Sequence, residues 1–303
     1  EFLFLTTLRY YCRDFQAGWH WRLSLDVVTS KRKLAVSTMI TMCYIAYFMF
    51  YGVLLSTILM EAYDNKENNS HYEWENDSLY YEEDDIYEIL DIVKPTIIIS
   101  SLRGDFSKQV LAHQHITEFV FKNKVKLLFL SSANVFDAYS KYPSYEQDKT
   151  YSNSIYGHFK IKIENMLLRL PKMQVAILRL PMVFGAQSPR VQEIIQFTKD
   201  KEPIEVFPNL IMNVTTDSKV TQQIHYIINR NKYGVFHLGS NDLVHHEDFI
   251  KEIVASLEMN ITALYKRVFT TNDDRYLAVL PKFNKLPKHL QLVSQDILSN
   301  LKI

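Results

Sequence analysis

From Thr96 onward, short apolar runs alternate with stretches of helical spacing. That alternation limits the chain to an α/β architecture more tightly than any other feature. Thr96-Ile97-Ile98-Ile99, Val125 to Leu130 and Val175 to Leu180 are continuous apolar or β-branched runs, the pattern of strands covered on both faces in a parallel sheet. Helices are predicted between them, from about Ser107 to Lys122 and from Tyr156 to Leu170. Ile86, Ile89, Leu90 and Val93 predict an earlier helix that Pro95 ends. Strands and helices alternating at this spacing predict an α/β fold, a Rossmann-like doubly wound parallel sheet with right-handed crossovers. After Gly185, helices are predicted over Arg190–Lys199, Ser218–Asn229 and His246–Leu257. Strands are predicted over Ile204–Phe207 and Val235–Leu238, with a terminal strand and helix within Leu286–Asn300.

The first 93 residues are a different kind of sequence. All 9 prolines lie at or after Pro95, and all three tryptophans (Trp19, Trp21, Trp74) lie before it. Residues 1–33 are aromatic and basic without a clean period. Leu34 to Met60 then runs for 27 residues with no charge and no proline. As a helix it would be about 40 Å long at ~1.5 Å per residue, against the ~30 Å of a bilayer core. Lys31-Arg32-Lys33 before it, and Glu61 and Asp64 after it, favour an N-inside orientation. A membrane span, a buried helix and a non-native reading of this stretch all stay open. The run Glu82-Glu83-Asp84-Asp85 reads as a solvated face. The chain begins with Glu1, which leaves a fragment, a processed form or a start elsewhere as readings.

Composition removes several function classes. Lys plus Arg and Asp plus Glu both total 34, so there is no basic footprint for nucleic acid. Cys12 and Cys43 have no CxxC or ligand spacing, which argues against a disulfide framework or a metal site and for a reducing, cytoplasmic setting. Membrane association is left open through residues 34–60. His113 and His115 lie two apart, on different helical faces, and read as surface residues. His245-His246 reads as a helix cap region.

Tyr156-Gly-His-Phe-Lys160 carries the chemistry. Positions four apart on a helix share a face, and an ammonium beside a phenol favours the phenolate. A tyrosine tuned in this way can exchange a proton with a carbonyl–alcohol pair. Tyr145-Glu-Gln-Asp-Lys149 is a second match to the same spacing, but it lies in a polar loop where no face is fixed. Ser131-Ser132-Ala-Asn-Val-Phe136 ends a predicted strand, where open α/β sheets place their ligands.

Together these segments resemble the dTDP-4-dehydrorhamnose reductase family of extended short-chain dehydrogenase/reductases. In that family the equivalent strand ends in Ser-Thr-Asp-Tyr-Val-Phe, and its Thr precedes the catalytic Tyr by 24 positions, as Ser132 precedes Tyr156 here. Lys94-Pro-Thr-Ile-Ile-Ile-Ser-Ser101 is similar to the family's Pro-Asp-Val-Val-Ile-Asn-Ala segment. Leu178-Arg-Leu-Pro-Met-Val-Phe-Gly185 and Gly234-Val-Phe-His-Leu-Gly239 also match in order. The resemblance implies reduction of a 4-keto-6-deoxy sugar nucleotide by NADPH or NADH. Tyr156 would be the proton donor, Lys160 its partner and ribose ligand, and Ser132 the hydrogen-bond donor to the carbonyl. It further implies Ser100, Ser101 and Leu102 along the cofactor, Pro181 and Met182 near the nicotinamide, and Asn134, Val183 and Phe184 at the substrate. Residues 94–185 would complete the dinucleotide-binding domain, and 186–303 would be the smaller, mainly substrate-binding part. A homodimer is an open expectation.

Two departures stand against the family pattern. The chain has 7 glycines, where roughly 20 would be average. Lys33 to Thr38 could be a first strand, but Met39 to Tyr44 follows it without the glycines that let a pyrophosphate approach a helix N-terminus. Ala133 and Asn134 replace the family's Asp and Tyr. A non-catalytic sugar-nucleotide-binding or regulatory protein on the same scaffold, as in the methionine adenosyltransferase regulatory subunit, is therefore an alternative. So is a membrane-tethered relative.

Overall fold

The computed structural model describes residues 2–6, 83–102, 104–139, 141–186, 188–258, 262–270 and 272–301. The hydrophobic segment 34–60, the candidate first strand Lys33–Thr38 and both cysteines lie outside the described residues. Among the described residues no helix is long and apolar enough to cross a membrane.

The chain divides into two compact units, Glu1–Phe129 with Met166–Val175, and Leu130–Asn165 with Ala176–Ile303. The first unit holds β1 (Phe2–Thr6), α1 (Glu83–Val93), β2 (Ile97–Ser101), α2 (Phe106–Asn123) and the start of β3 (Lys126–Ser132). β1 pairs parallel with β2, from Phe2↔Ile97 to Thr6↔Ser101, and β2 pairs parallel with β3, from Ile97↔Lys126 to Ser100↔Phe129. The strand beside β2 thus comes from a stretch in which the sequence shows no clean period.

α2 forms where the sequence starts and stops it. The Asp105 carboxylate accepts from the Lys108 N–H at 2.9 Å, and Lys124 closes the helix in the left-handed region at φ 55°. Its inner face buries Val110, Ile116, Phe119 and Val120. His113 is a correction to the surface reading: it is fully buried, with Nε2 2.8 Å from Ser100 Oγ and Nδ1 2.6 Å from the Gln109 carbonyl. His115 is half-buried against the Tyr87 ring.

The second unit begins with the end of β3 and contains α3 (Ile155–Leu167), β4 (Val175–Leu180), β5 (Met182–Val183), α4 (Pro189–Asp200), β6 (Pro203–Val206), β7 (Leu210–Met212), β8 (Val214–Thr215) and α5 (Asp217–Asn229). It continues with β9 (Gly234–His237), β10 (Val244–His245), α6 (His246–Ser256), β11 (Leu264–Arg267), β12 (Arg275–Leu277) and α7 (Ser294–Leu301). β4 and β9 are parallel, from Ala176↔Gly234 to Arg179↔His237. Smaller pairings join β5 to β8, β6 to β11, and β7 to both β10 and β12. Phe184, Ile194, Ile204, Val206, Phe249 and Ile253 form the core beneath α4 and α6. The expected α/β class with a parallel sheet is what the chain adopts. No strand forms within Leu286–Asn300; a 3-10 turn at Lys288–Leu290 leads to α7 instead. Pro287 brings no N–H to a ladder, and Leu292 packs into one core cluster with Ile297, Leu298 and Leu301 of α7.

Two histidines of this unit are held neutral. Burial and then the Arg179 charge push His237 down to about 3, and burial and then Arg190 push His246 down to about 4. Each therefore adds stability that is complete above the unfolded value of 6.5 and is lost progressively as pH falls from 6.5 toward those folded values. Thermal melts should show Tm dropping across that window, with a shallower drop in His246→Gln. An equal slope in the variant would contradict the assignment.

Candidate functional site

β3 delivers Ser131 and Ser132 at its C-terminal end, and Ser132 caps the 3-10 turn Ala133–Phe136 that follows. Ser132 Oγ accepts from the Asn134 N–H at 3.2 Å and donates to Asn134 Oδ1 at 3.0 Å. The hydroxyl is thus engaged with a half-buried amide, an acceptor that another oxygen could replace.

α3 starts where a carboxylate and two hydroxyls fix it. Asp137 Oδ1 accepts from Ser152 Oγ at 2.8 Å and from the Asn153 N–H at 2.6 Å, and its Oδ2 accepts from Ser154 Oγ. Ser154 Oγ in turn accepts from the Gly157 N–H at 3.0 Å, the N-terminal cap of the helix. Burial raises the Asp137 carboxyl, but its hydrogen bonds to Ser154, Asn153 and Ser152 outweigh this and hold it below its ordinary range. This cap sets Tyr156 in the first turn, 38% exposed, and Lys160 one turn later, 6% exposed. Lys160 Nζ donates to the Leu130 carbonyl at 3.0 Å and stands 5.8 Å from the Tyr156 ring centroid.

Gly157 is what lets this helix approach the end of β3. A Cβ there would fall 1.9 Å from Ser152 Oγ and 2.4 Å from the Asn134 carbonyl oxygen. The turn bearing Tyr156 therefore lies directly against the turn capped by Ser132. Tyr145 to Lys149, the second match to the spacing, lies in a loop where the Tyr145 N–H donates to Asp148 Oδ2 at 2.7 Å.

The remaining expected residues divide between the two units. In the first, Ser100 is fully buried on His113, Leu102 is buried and Ser101 is half-buried. In the second, Pro181 is buried beside Gly239, and Met182 and Val183 are half-buried on β5. Phe184 is 1% exposed and meets Phe249 edge-on at 5.2 Å. Phe184 also lines a cleft of about 490 Å³ with Arg190, Phe197, Phe207, His246 and Lys266. His246 Nδ1 accepts from the Phe207 N–H at 3.3 Å, so in the neutral ring the proton resides on Nε2. Gly185 packs on Asp217, whose carboxyl burial pushes up.

Sequence reasoning missed a buried polar chain behind this site. Arg179 Nη2 donates to Glu164 Oε2 at 2.7 Å and Arg179 Nε to Oε1 at 3.1 Å; Ser131 Oγ donates to the same Oε1 at 2.5 Å. Arg179 Nη1 also reaches the Glu146 carbonyl and His237 Nε2, each at 3.3 Å. The Glu146 carboxylate accepts from the backbone N–H groups of Lys282, Phe283 and Asn284. A signal was present: Glu164 lies four residues after Lys160 on the apolar side of α3, and Arg179 is the one charge in Val-Ala-Ile-Leu-Arg-Leu.

Gly157→Ala should destabilise the protein by about 1–3 kcal/mol through overpacking, despite alanine's advantage of about 1 kcal/mol inside a helix. Denaturant unfolding measures it; a stabilised variant would refute the close approach. Similarity to known proteins bears on the same residues. The model of the RmlD substrate binding domain matches residues 103–289. A dTDP-4-dehydrorhamnose reductase from Aggregatibacter actinomycetemcomitans is 24% identical over 221 residues, 65% of this chain and 74% of that protein. The structure of dTDP-4-dehydrorhamnose reductase from Bacillus anthracis in complex with NADP is similar at TM-score 0.64 and 19% identity, covering 82% of this chain and 94% of that one. The Yersinia enterocolitica enzyme gives 0.62 and 18%, covering 82% and 96%. With more than half its length matched by the family model, the chain belongs to the RmlD substrate binding domain family.

Proposed function

We propose that the protein reduces a 4-keto-6-deoxy sugar nucleotide to the corresponding 4-hydroxy sugar, with NADPH or NADH as reductant. The observation that carries this reading is the pairing of the Tyr156 and Lys160 turn with the Ser132 turn across Gly157. A phenol, an ammonium and a hydroxyl on adjoining turns are the donor set that a ketone oxygen and a ribose diol require, so these residues fit a nicotinamide cofactor. When bound, the reduced nicotinamide supplies the hydride. Ser132 exchanges its hydrogen bond from Asn134 Oδ1 to the substrate carbonyl oxygen and polarises it. Tyr156 donates its phenolic proton to that oxygen as the alcohol forms. The Lys160 ammonium, held by the Leu130 carbonyl, offsets the charge left on the phenol oxygen. The Phe184–Arg190–His246 cleft, with aromatic walls, a guanidinium and an N–H donor, suits the nucleotide end of the substrate. Val183 and Asn134 would flank the sugar. Ser101 ends β2 and Leu102 follows it, at the strand end where cofactors of parallel sheets bind.

Turnover of a dTDP-4-keto-6-deoxy sugar with NADPH or NADH, followed by loss of nicotinamide absorbance, tests this. Tyr156→Phe and Lys160→Met should each lower kcat by about 10²–10⁴-fold. Wild-type activity preserved in Tyr156→Phe would overturn the assignment. Sugar-nucleotide binding without any turnover by the wild type would point to a binding protein on the same scaffold.

A further inference from the structure

We propose that Ser131, Glu164 and Arg179 are positioning residues for the site: a second rung that holds α3 and the end of β3 at the spacing the reaction needs. The inference rests on the reductase reading for its kinetic arm and on geometry alone for its other arm. Hydrogen bonds between this helix and this strand end run in both directions. Lys160 Nζ donates from the helix to the Leu130 carbonyl at 3.0 Å, and Ser131 Oγ donates from the strand to Glu164 Oε1 at 2.5 Å. Lys160 and Glu164 are four residues apart, hence one above the other on the same helical face. Leu130 and Ser131 are adjacent, and Ser132 is the next residue along. The first rung uses the lysine on which the chemistry depends; the second uses a carboxylate that touches no substrate.

That carboxylate does not swing. Glu164 is 1% exposed and Arg179 3% exposed, and Arg179 grips both carboxylate oxygens from β4. A planar fork on two oxygens fixes the plane of the carboxylate as well as its distance. The Ser131 hydroxyl therefore meets an acceptor whose direction β4 has already set. Through Ser131 the backbone at Leu130 is held, and with it the carbonyl that receives Lys160. Arg179 is itself anchored at the far side by the Glu146 carbonyl and by His237, which lies over the Phe136 ring edge-on at 5.9 Å. The chain of bonds thus runs from a rigid strand to the carbonyl that holds Lys160.

Ser131→Ala is the direct test, because it removes the rung and leaves the Glu164–Arg179 pair intact. In the full chain it should lower kcat about tenfold or more, the scale of a small misplacement of reacting groups. KM for the sugar nucleotide should stay within about threefold, since no substrate contact is lost. Glu164→Gln should lower kcat in the same way, provided that circular dichroism shows it folded. Acylation of Lys160 by an amine-selective reagent, read by mass spectrometry against the exposed Lys162 in the same molecule, needs no enzyme activity. Ser131→Ala should label several-fold faster at Lys160 and at an unchanged rate at Lys162. Wild-type labelling of Lys160 in Ser131→Ala would overturn the positioning role whether or not the protein turns over. Faster labelling with an inactive wild type would keep the rung and remove the reductase reading.

Discussion

α3 reaches the end of β3 because residue 157 has no side chain. Any Cβ there would enter the Asn134 carbonyl, a backbone atom that cannot rotate away. Everything proposed for the site depends on that contact: it lays the turn carrying Tyr156 against the turn capped by Ser132. The cap formed by Asp137, Ser152 and Ser154 fixes where the helix begins, and hence which residue occupies its first turn. Approach and register are therefore set by different residues, Gly157 for the one and the Asp137, Ser152 and Ser154 cap for the other.

The polar chain behind the site illustrates how buried charge serves geometry more than stability. Removing one partner of a buried pair costs about 3–5 kcal/mol because the other charge is stranded, whereas replacing the pair by apolar residues is often neutral. The Glu164–Arg179 fork adds little net stability by that reasoning. What it does provide is a fixed direction for one carboxylate oxygen, which Ser131 reads out. Glu146 acts similarly at a longer range, gathering three successive backbone N–H groups from Lys282 to Asn284. A long connection after the site is in this way tied to the loop between β3 and α3.

The sequence was legible where burial on both faces produces unbroken apolar runs. β4 begins and ends at the residues that its composition indicates, and α2 lies within a residue or two of its expected limits. β5, β8 and β10 were not visible, because two residues cannot display a period. The resemblance drew Ser132, Tyr156 and Lys160 from spacing and order. The sequence did not reveal what holds them. Gly157, Asp137 and Glu164 act through a missing atom, through backbone N–H groups and through a partner in a distant strand. None of these leaves a local pattern. His113 reads as a surface residue because it and His115 lie two apart on different helical faces, yet its two nitrogens are both engaged inside the first unit.

On the proposed reading, a ketone carbon accepts a hydride where the Ser132 and Tyr156 turns meet. Transfer of deuterium from NADPH or NADH labelled at the nicotinamide C4 tests it most directly, with the sugar product read by mass spectrometry and NMR. One deuterium is expected, on C4 of the sugar and in a single configuration, appearing about 10²–10⁴-fold more slowly when Tyr156 is phenylalanine. Deuterium at another carbon, or a product formed without label, would contradict it.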